Sequence, residues 1–482
     1  GQGMTPLTRY AIALDTLTCI GCYACTLACK VENGSPSGIW TAPVIQKEIG
    51  TFPDMRRAFI PLLCNHCADA PCLKACPTRA IARRDDGIVL IDQDICCGSQ
   101  ACVIACPYGA IHYYERADQI STPFDRAKVS HHQPGTAQKC NLCVDRLDRG
   151  LKPACVEACP TGARIFGDLE DPHSPVAEAL RSRDSVALGS PVDTAPAMRY
   201  LTEGMHRAGG TDADIALSYR PQKQWGFALA VEFWLLGGGA GLFAASRWLA
   251  PDLSLFGLEL GSLGAFVLVA VGGLILIGHL GRPFRFLNAM THWRASWISR
   301  GAIANLLFLA VVGLLALPVA TAVGPVGTFI ALVLAAVVAT YPGLAMGAMQ
   351  SVPAWRGRRI ALEYLVESLM LGVALVGLLD GWGGEVLGSL LALALLRAAL
   401  ALWSWRLVPA LAKVAILGAG LAAGLAFLAL LGPSAAALLG TGAAVAALVT
   451  GLVTKVINLN LGASPSPFSA TGELGGSLDA ER

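Results

Sequence analysis

Fifteen of the sixteen cysteines fall into four groups, all before residue 160, with one position in the third group held by serine. The groups are Cys19-Cys22-Cys25-Cys29, Cys64-Cys67-Cys72-Cys76, Cys96-(Ser99)-Cys102-Cys106 and Cys140-Cys143-Cys155-Cys159. Three of them end in Cys-Pro, at Cys76-Pro77, Cys106-Pro107 and Cys159-Pro160. A C-x2-C-x2-C-x3-C run presents three thiolates from one tight loop, which is what a polynuclear iron–sulfur cluster requires. Dense cysteine also occurs in disulfide-stapled secreted chains, but disulfides need no such short, repeated gaps. Structural zinc sites use two pairs rather than a triplet followed by Cys-Pro. Four groups therefore predict four clusters in series, a wire for electrons.

In two-cluster ferredoxins the fourth cysteine of each run ligates the other cluster. Nesting the first group with the fourth, and the second with the third, gives four predicted ligand sets. Cys19, Cys22 and Cys25 share a site with Cys159, and Cys29 joins Cys140, Cys143 and Cys155. Cys64, Cys67 and Cys72 join Cys106. Cys76 joins Cys96 and Cys102, with Ser99 at the vacant corner. Three thiolates suit a [3Fe–4S] centre, because the unligated corner iron is the one lost. The expectation is three [4Fe–4S] clusters and one [3Fe–4S] cluster. Two alternatives stay open: Ser99 ligating iron through oxygen, or Cys97 shifting into the corner. Cys97, outside the pattern, otherwise reads as a small buried residue. His66, between Cys64 and Cys67, is not expected to ligate. Lys30, Lys74 and Lys139 beside the cysteines read as solvated surface.

The segments CIGCYACTLACKVEN, LLCNHCADAPCLKACPTRAI, ACPYGAIHY and KCNLCVDRLDRGLKPACVEACPTGARIFGDLEDP resemble the iron–sulfur subunit of DMSO reductase-type molybdenum enzymes over roughly residues 8–201. The nested pairing is also what this family implies. In relatives with a non-cysteine residue at the Ser99 position, such as nitrate reductase, the resemblance implies a [3Fe–4S] cluster, lying nearest the membrane.

The elements that must hold these sites differ sharply along the 482 residues. Residues 1–223 are polar and carry every cysteine, whereas 224–462 are rich in Leu, Ala, Gly and Val and carry none. Apolar runs there approach or exceed the ~20 residues that a bilayer-spanning helix needs. Eight spans are predicted, at 225–249, 253–280, 301–322, 325–347, 360–380, 386–404, 411–431 and 434–456. The fold class predicted is an α+β double ferredoxin-like iron–sulfur domain followed by an all-α membrane domain of eight transmembrane helices. The domains predicted are 4–201 for the clusters, 202–223 for a linker, 224–462 for the membrane anchor and 463–482 for a disordered tail. A net charge of +2 excludes nothing but gives no reason to expect a nucleic-acid partner.

Basic residues gather on one side of the spans: Arg220 and Lys223; Arg282, Arg285, Arg294 and Arg300; Arg356, Arg358 and Arg359; Arg406 and Lys413; and Lys455. Arg247 stands on the other. The positive-inside rule then predicts a multi-pass protein of the cytoplasmic membrane with both termini and the cluster domain in the cytoplasm. No export signal is recognised before Cys19, which agrees with that expectation. Trp225, Trp248, Trp297, Trp355, Trp403 and Trp405 near span ends read as an aromatic belt.

The segments GHLGRPFRFLNAMTHWRASWISR and SVPAWRG resemble the quinone-reactive, NrfD-type membrane anchor of DMSO reductase and of a cytoplasmic-facing sulfite dehydrogenase. The resemblance implies that two normally separate subunits are fused, and that His279, the histidine of the HLG motif, contacts quinone. Arg282 and Arg285 are further candidates for orienting it. Gly301 stands where the DMSO reductase anchor has a glutamate, so any role of that glutamate does not carry over. Quinone chemistry moves protons with electrons, so a titratable group at the ring is useful. Glu232, Glu363, Glu367 and Arg397 are charges inside apolar spans, and charge in lipid is a functional candidate by default. They are read as proton-transfer candidates; the structural alternatives are a Glu232–Arg397 pair and, for Glu363 and Glu367 on one face of the fifth span, packing against the cluster domain. Only His279 and His292 lie in the membrane half, both at one surface, so no haem b is expected.

These readings predict the electron-transfer and anchor subunit of a molybdopterin (Mo or W) oxidoreductase, non-catalytic toward substrate but quinone-reactive. Cytoplasmic topology favours sulfite oxidation with quinone reduction. The alternatives are a quinol-oxidising S-oxide reductase anchor and an ion-translocating redox module without a molybdenum subunit.

Overall fold

The computed structural model describes residues 8–35, 39–49, 52–53, 55–114, 133–190, 192–207, 218–221, 224–256, 258–317, 324–404, 409–460 and 463–466. The predicted linker from 208 to 217, Lys223, Trp405, Arg406 and the tail beyond 466 lie outside the described residues. The chain forms two compact units, one of residues up to Arg220 with Gln350–Val352, the other of Pro221–Met349 and Pro353–Gly462.

The cysteine-bearing unit is organised on a four-stranded sheet. Its central strand, Tyr10–Asp15, runs antiparallel to Arg164–Asp168, with Leu14 opposite Arg164, and parallel to Arg199–Leu201, with Ala13 opposite Arg199. Ala11, Ile12, Ala13 and Leu14 are wholly buried, so this strand is an unbroken apolar run covered on both faces. Three hairpins, pairing Val44–Ile49 with Arg56–Pro61, Ile81–Arg83 with Val89–Ile91, and Ile111–Tyr114 with Thr136–Lys139, stand beside it. The cysteines occupy loops that run into short helices: Ala24–Asn33, Pro71–Ala75, Ala101–Ala105, Val144–Leu147 and Ala154–Glu157. The loops contain left-handed residues: Gly21 and Tyr23, His66, Gly98 and Gln100, Leu142 and Cys143. Alternating backbone handedness turns successive N–H groups toward one concavity, a shape suited to an anionic group. The stretch predicted as linker begins instead with a short helix, Glu203–Arg207, because Thr202 is buried and its carbonyl accepts from the His206 N–H.

The other unit is helical. Among the described residues eight helices are long and apolar enough to cross a membrane: Phe227–Leu249, Leu260–His279, Trp297–Leu315, Gly324–Ala348, Arg359–Asp380, Gly384–Trp403, Ala412–Leu431 and Ala436–Asn460. Several limits differ from the hydropathy reading, among them the end of the third helix, at Leu315 rather than 322, and of the eighth, at Asn460 rather than 456. The second helix starts at Leu260 because Ser254–Leu255 and Leu258–Glu259 form a hairpin before it. The third starts at Trp297, ahead of its most apolar stretch, behind the Ser296 cap position. The first and fifth helices meet where Gly241 faces Gly372; a Cβ on Gly241 would run into the Ser368 carbonyl. Small residues permit this backbone approach, the usual basis of helix association in lipid. Two of the six tryptophans expected in a belt are core residues instead. Trp225 and Trp355 are buried and stack at 6.0 Å between ring centroids, and Trp355 Nε1 donates to the Asn458 carbonyl at 2.8 Å. Trp248 and Trp403 are exposed, as a belt requires.

Candidate metal centres

Sheet pairing brings distant cysteines to shared cavities. With Leu14 opposite Arg164, the loops that follow Asp15 and precede Arg164 meet at one end of the sheet. There Cys19, Cys22, Cys25 and Cys159 line one cavity together with Arg164. Cys64, Cys67, Cys72 and Cys106 line a second, with Lys139.

The remaining thiols group by mutual influence. Burial, then proximity to Cys155 and Cys143, pushes the Cys29 thiol up to about 12, although Thr41 Oγ1 lies 3.1 Å from its sulfur. Burial, followed by the nearness of Cys29, holds Cys140 well above the ordinary thiol range. Cys102 is likewise pushed up by burial and then by Cys96 and Cys76. Cys97, 1 % exposed, is raised to about 12 by burial and by Cys96, and its sulfur accepts from the Ser99 backbone N–H. Cys97 and Ser99 thus both stand beside the Cys76–Cys96–Cys102 group.

Buried thiols crowded this way are neutral on their own and become thiolates when a bound cation compensates the charge. Among the described residues no three His, Cys, Asp or Glu are close enough to hold a single metal ion. Four sulfurs at ~2.3 Å from one tetrahedral ion lie only ~3.8 Å apart. A polynuclear cluster spreads its ligands over several irons, so it can be held by cysteines that are not gathered around one ion.

The residues around the cysteines fall into different roles. His66 is buried, and its Nδ1 accepts the Val89 N–H at 3.1 Å. Burial depresses it well below the ordinary histidine range, so the ring is neutral. Lys74 is exposed and paired with Asp69 at 2.5 Å. Lys30 reaches the Ile39 carbonyl at 3.3 Å and the Trp40 ring. Lys139 departs from the expected solvated surface: it is 5 % exposed and donates to the Val89 and Cys140 carbonyls. Arg164, which pattern reading passed over, is 3 % exposed, with Nη1 3.7 Å from Cys155 Sγ. Its only sequence signal is a cation directly before the apolar Ile165-Phe166 pair of the strand RIFGD.

In the helical unit His279 ends the second helix, where its ring meets the Gln224 backbone and leaves Nε2 buried without a partner. Arg282 Nε is also buried and unpartnered. Both precede the amphipathic 3-10 segment Pro283–Met290, which contains Arg285 and the fully exposed Phe284. Glu232 does not pair with Arg397. Its Oε1 accepts from Tyr341 Oη at 3.1 Å, and Tyr341, packed on Gly301, in turn accepts from Asn305 Nδ2 at 3.4 Å. Arg397 instead lies 3.9 Å from Glu363 and 3.6 Å from Glu367. Glu367 also binds Lys455 and Thr454 Oγ1, and Arg359 lies 3.5 Å from Glu363. Lys455 and Arg359, counted among the basic residues flanking the spans, are therefore buried members of this ion-pair network.

A 4Fe–4S dicluster domain model matches residues 55–122 and 115–169. The arsenate respiratory reductase iron–sulfur subunit of Shewanella sp. is 36 % identical, over 40 % of this chain and 96 % of that protein. A tetrathionate reductase subunit of Salmonella typhimurium is 40 % identical, over 41 % of this chain and 74 % of its own length. A sulfite dehydrogenase subunit of Allochromatium vinosum is 37 % identical, over 40 % and 83 %. The chain therefore belongs to the family of iron–sulfur electron-transfer subunits of DMSO reductase-type molybdenum enzymes, and eight membrane-length helices follow that module in the same polypeptide.

Proposed function

We propose that this protein carries electrons between a cytoplasmic molybdopterin (Mo or W) catalytic subunit and a quinone in the bilayer, serving sulfite oxidation with quinone reduction. Three [4Fe–4S] clusters would be held by Cys19, Cys22, Cys25 and Cys159; by Cys29, Cys140, Cys143 and Cys155; and by Cys64, Cys67, Cys72 and Cys106. A [3Fe–4S] cluster would be held by Cys76, Cys96 and Cys102 beside Ser99. When bound, these groups supply the one-electron carriers; the chain supplies thiolates, excludes water and sets their potentials. The observation that carries this reading is the lining of one cavity by Cys19, Cys22, Cys25 and Cys159 and of another by Cys64, Cys67, Cys72 and Cys106.

His279 would meet the quinone, with Arg282 and Arg285 orienting the ring. The unpartnered Nε2 of His279 and Nε of Arg282 support this, since each leaves a buried polar atom for a ligand. The cytoplasmic placement of the cluster domain and both termini rests on the basic residues Arg282, Arg285, Arg294, Arg300, Arg356 and Arg358, set against an Arg247 that pairs with Glu259.

A second reading, quinol oxidation feeding a reductase, is favoured by the arsenate and tetrathionate reductase subunits among the relatives. Assaying the purified complex with sulfite plus quinone, and with quinol plus S-oxides, arsenate or tetrathionate, separates the two. Electron paramagnetic resonance of the oxidised complex must show a three-iron signal, and Ser99→Cys must abolish it. His279→Ala must stop quinone-coupled turnover while leaving the cluster signals; unchanged turnover would rule that residue out.

A further inference from the structure

Arg164 is a buried cation without a carboxylate. It opens the strand Arg164–Asp168 opposite the wholly buried Leu14 of the central strand, which holds its side chain inside the unit at 3 % exposure. Among the described residues no Asp or Glu lies within ion-pairing distance of it, and its Nε and Nη2 are buried with no hydrogen-bond partner. Its neighbours are sulfur. It lines the cavity shared by Cys19, Cys22, Cys25 and Cys159, its Nη1 stands 3.7 Å from Cys155 Sγ, and Cys25 and Cys29 lie within its electrostatic reach. Guanidinium stays charged under all ordinary conditions. A charge taken out of water with no counter-charge is strongly unfavourable. The compensation must come from thiolates and from whatever they bind.

The other buried polar groups beside the cysteines differ in kind. The Nε2 of His66 and both amide atoms of Asn65 are also buried without partners but carry no charge. Lys139, likewise without a carboxylate among the described residues, has the Val89 and Cys140 carbonyls as partners, and His66 is anchored by the Val89 N–H. Resting on the four-centre reading above, we propose that Arg164 is a redox-tuning residue shared by two centres. It stands between the site of Cys19, Cys22, Cys25 and Cys159 and the site of Cys29, Cys140, Cys143 and Cys155. Its fixed positive charge favours the more negative, reduced form at both sites and raises both potentials together. Net charge and hydrogen bonds to sulfur are the recognised determinants of such potentials. Burial keeps the charge from being screened as a surface lysine would be. Because one side chain serves both sites, it lifts a pair of neighbouring stations on the wire without opening a step between them.

The test is redox titration of the purified complex followed by electron paramagnetic resonance, with iron content measured alongside. In Arg164→Gln the midpoint potentials of two centres should fall by at least the equivalent of a tenfold change in the one-electron equilibrium, about 59 mV. The other two centres should not move. Arg164→Lys, which keeps the charge and loses the fork, should recover most of the fall. Full iron loading with all potentials unchanged overturns the proposal, and movement of a single centre overturns the sharing. Where Arg164→Gln loses iron, a loaded Arg164→Lys with near wild-type potentials supports the proposal. Iron loss in both variants makes the residue structural and overturns it. A wild-type complex without four centres defeats the underlying reading instead, a distinguishable failure.

Discussion

Both units bury positive charge, and they neutralise it in different ways. In the helical unit Arg397, Arg359 and Lys455 meet Glu363 and Glu367, so the chain supplies both signs itself. In the cysteine-bearing unit Arg164 meets only sulfur and retains unpartnered N–H groups. The helical network also keeps unpartnered atoms on Arg359, Arg397 and Glu363, but each of its cations has a carboxylate within ion-pairing distance. Arg164 has none among the described residues and meets its counter-charge only with a bound group. Buried charge can thus be sorted into scaffold and site by asking where its counter-charge resides. On that criterion Glu363, Glu367 and Arg397, read from sequence as proton-transfer candidates, are bound up in a framework. Glu232, with Tyr341 and Asn305 but no cation within pairing distance among the described residues, remains the better proton-transfer candidate.

The largest effect that would sharpen this contrast is loss of a four-iron centre. Cys22→Ala and Cys159→Ala should each remove the same resonance signal, and the double variant should remove nothing more; loss of different signals would break the shared-cavity argument. Next comes Glu367→Gln, which strips Lys455 and Arg397 of a buried partner. Such a loss costs about 3–5 kcal/mol, and thermal unfolding in detergent should register it. Adding Lys455→Met should restore a large part, because the uncompensated charge leaves with its partner. A smaller loss, about 1–3 kcal/mol, is expected for Gly241→Ala, since the obstacle is the Ser368 backbone rather than a yielding side chain. A variant as stable as the parent would show that the two helices can separate there.

The smallest effect belongs to Asp15, whose Oδ2 accepts from Arg183 Nη1 at 2.9 Å. Burial would raise this carboxyl, but Arg183 and the Leu17 N–H more than offset it and hold it below the ordinary value of 3.8. A depressed carboxyl stabilises the fold above its unfolded value, and the contribution disappears as pH falls through the folded one. Asp15→Asn should therefore lower stability by about 1 kcal/mol near neutrality, and the gap from the parent should close below pH 3.8. A gap that persists in strong acid would show that the loss is not the pairing with Arg183.

The motifs themselves carried much of this protein's character. Cys-x2-Cys runs demand one kind of ligand chemistry because the loop is short, and eight apolar stretches demand membrane-length helices because a bilayer has a fixed thickness. Both are local properties, legible without a fold. For the cysteines the nested ferredoxin rule already joins Cys159 to Cys22, and the structure adds the physical reason, one strand pairing that sets their loops at the same end of a sheet. What only tertiary structure decided is which other distant residues meet. Lys455 and Arg359 read along the chain as residues at the basic ends of spans, yet each finds a carboxylate inside the unit. Trp225 and Trp355 read as belt residues and stack in the core. Arg164 belonged to no motif. A charge or an aromatic ring looks the same in sequence whether water or another side chain completes it, and only the packed chain settles which does.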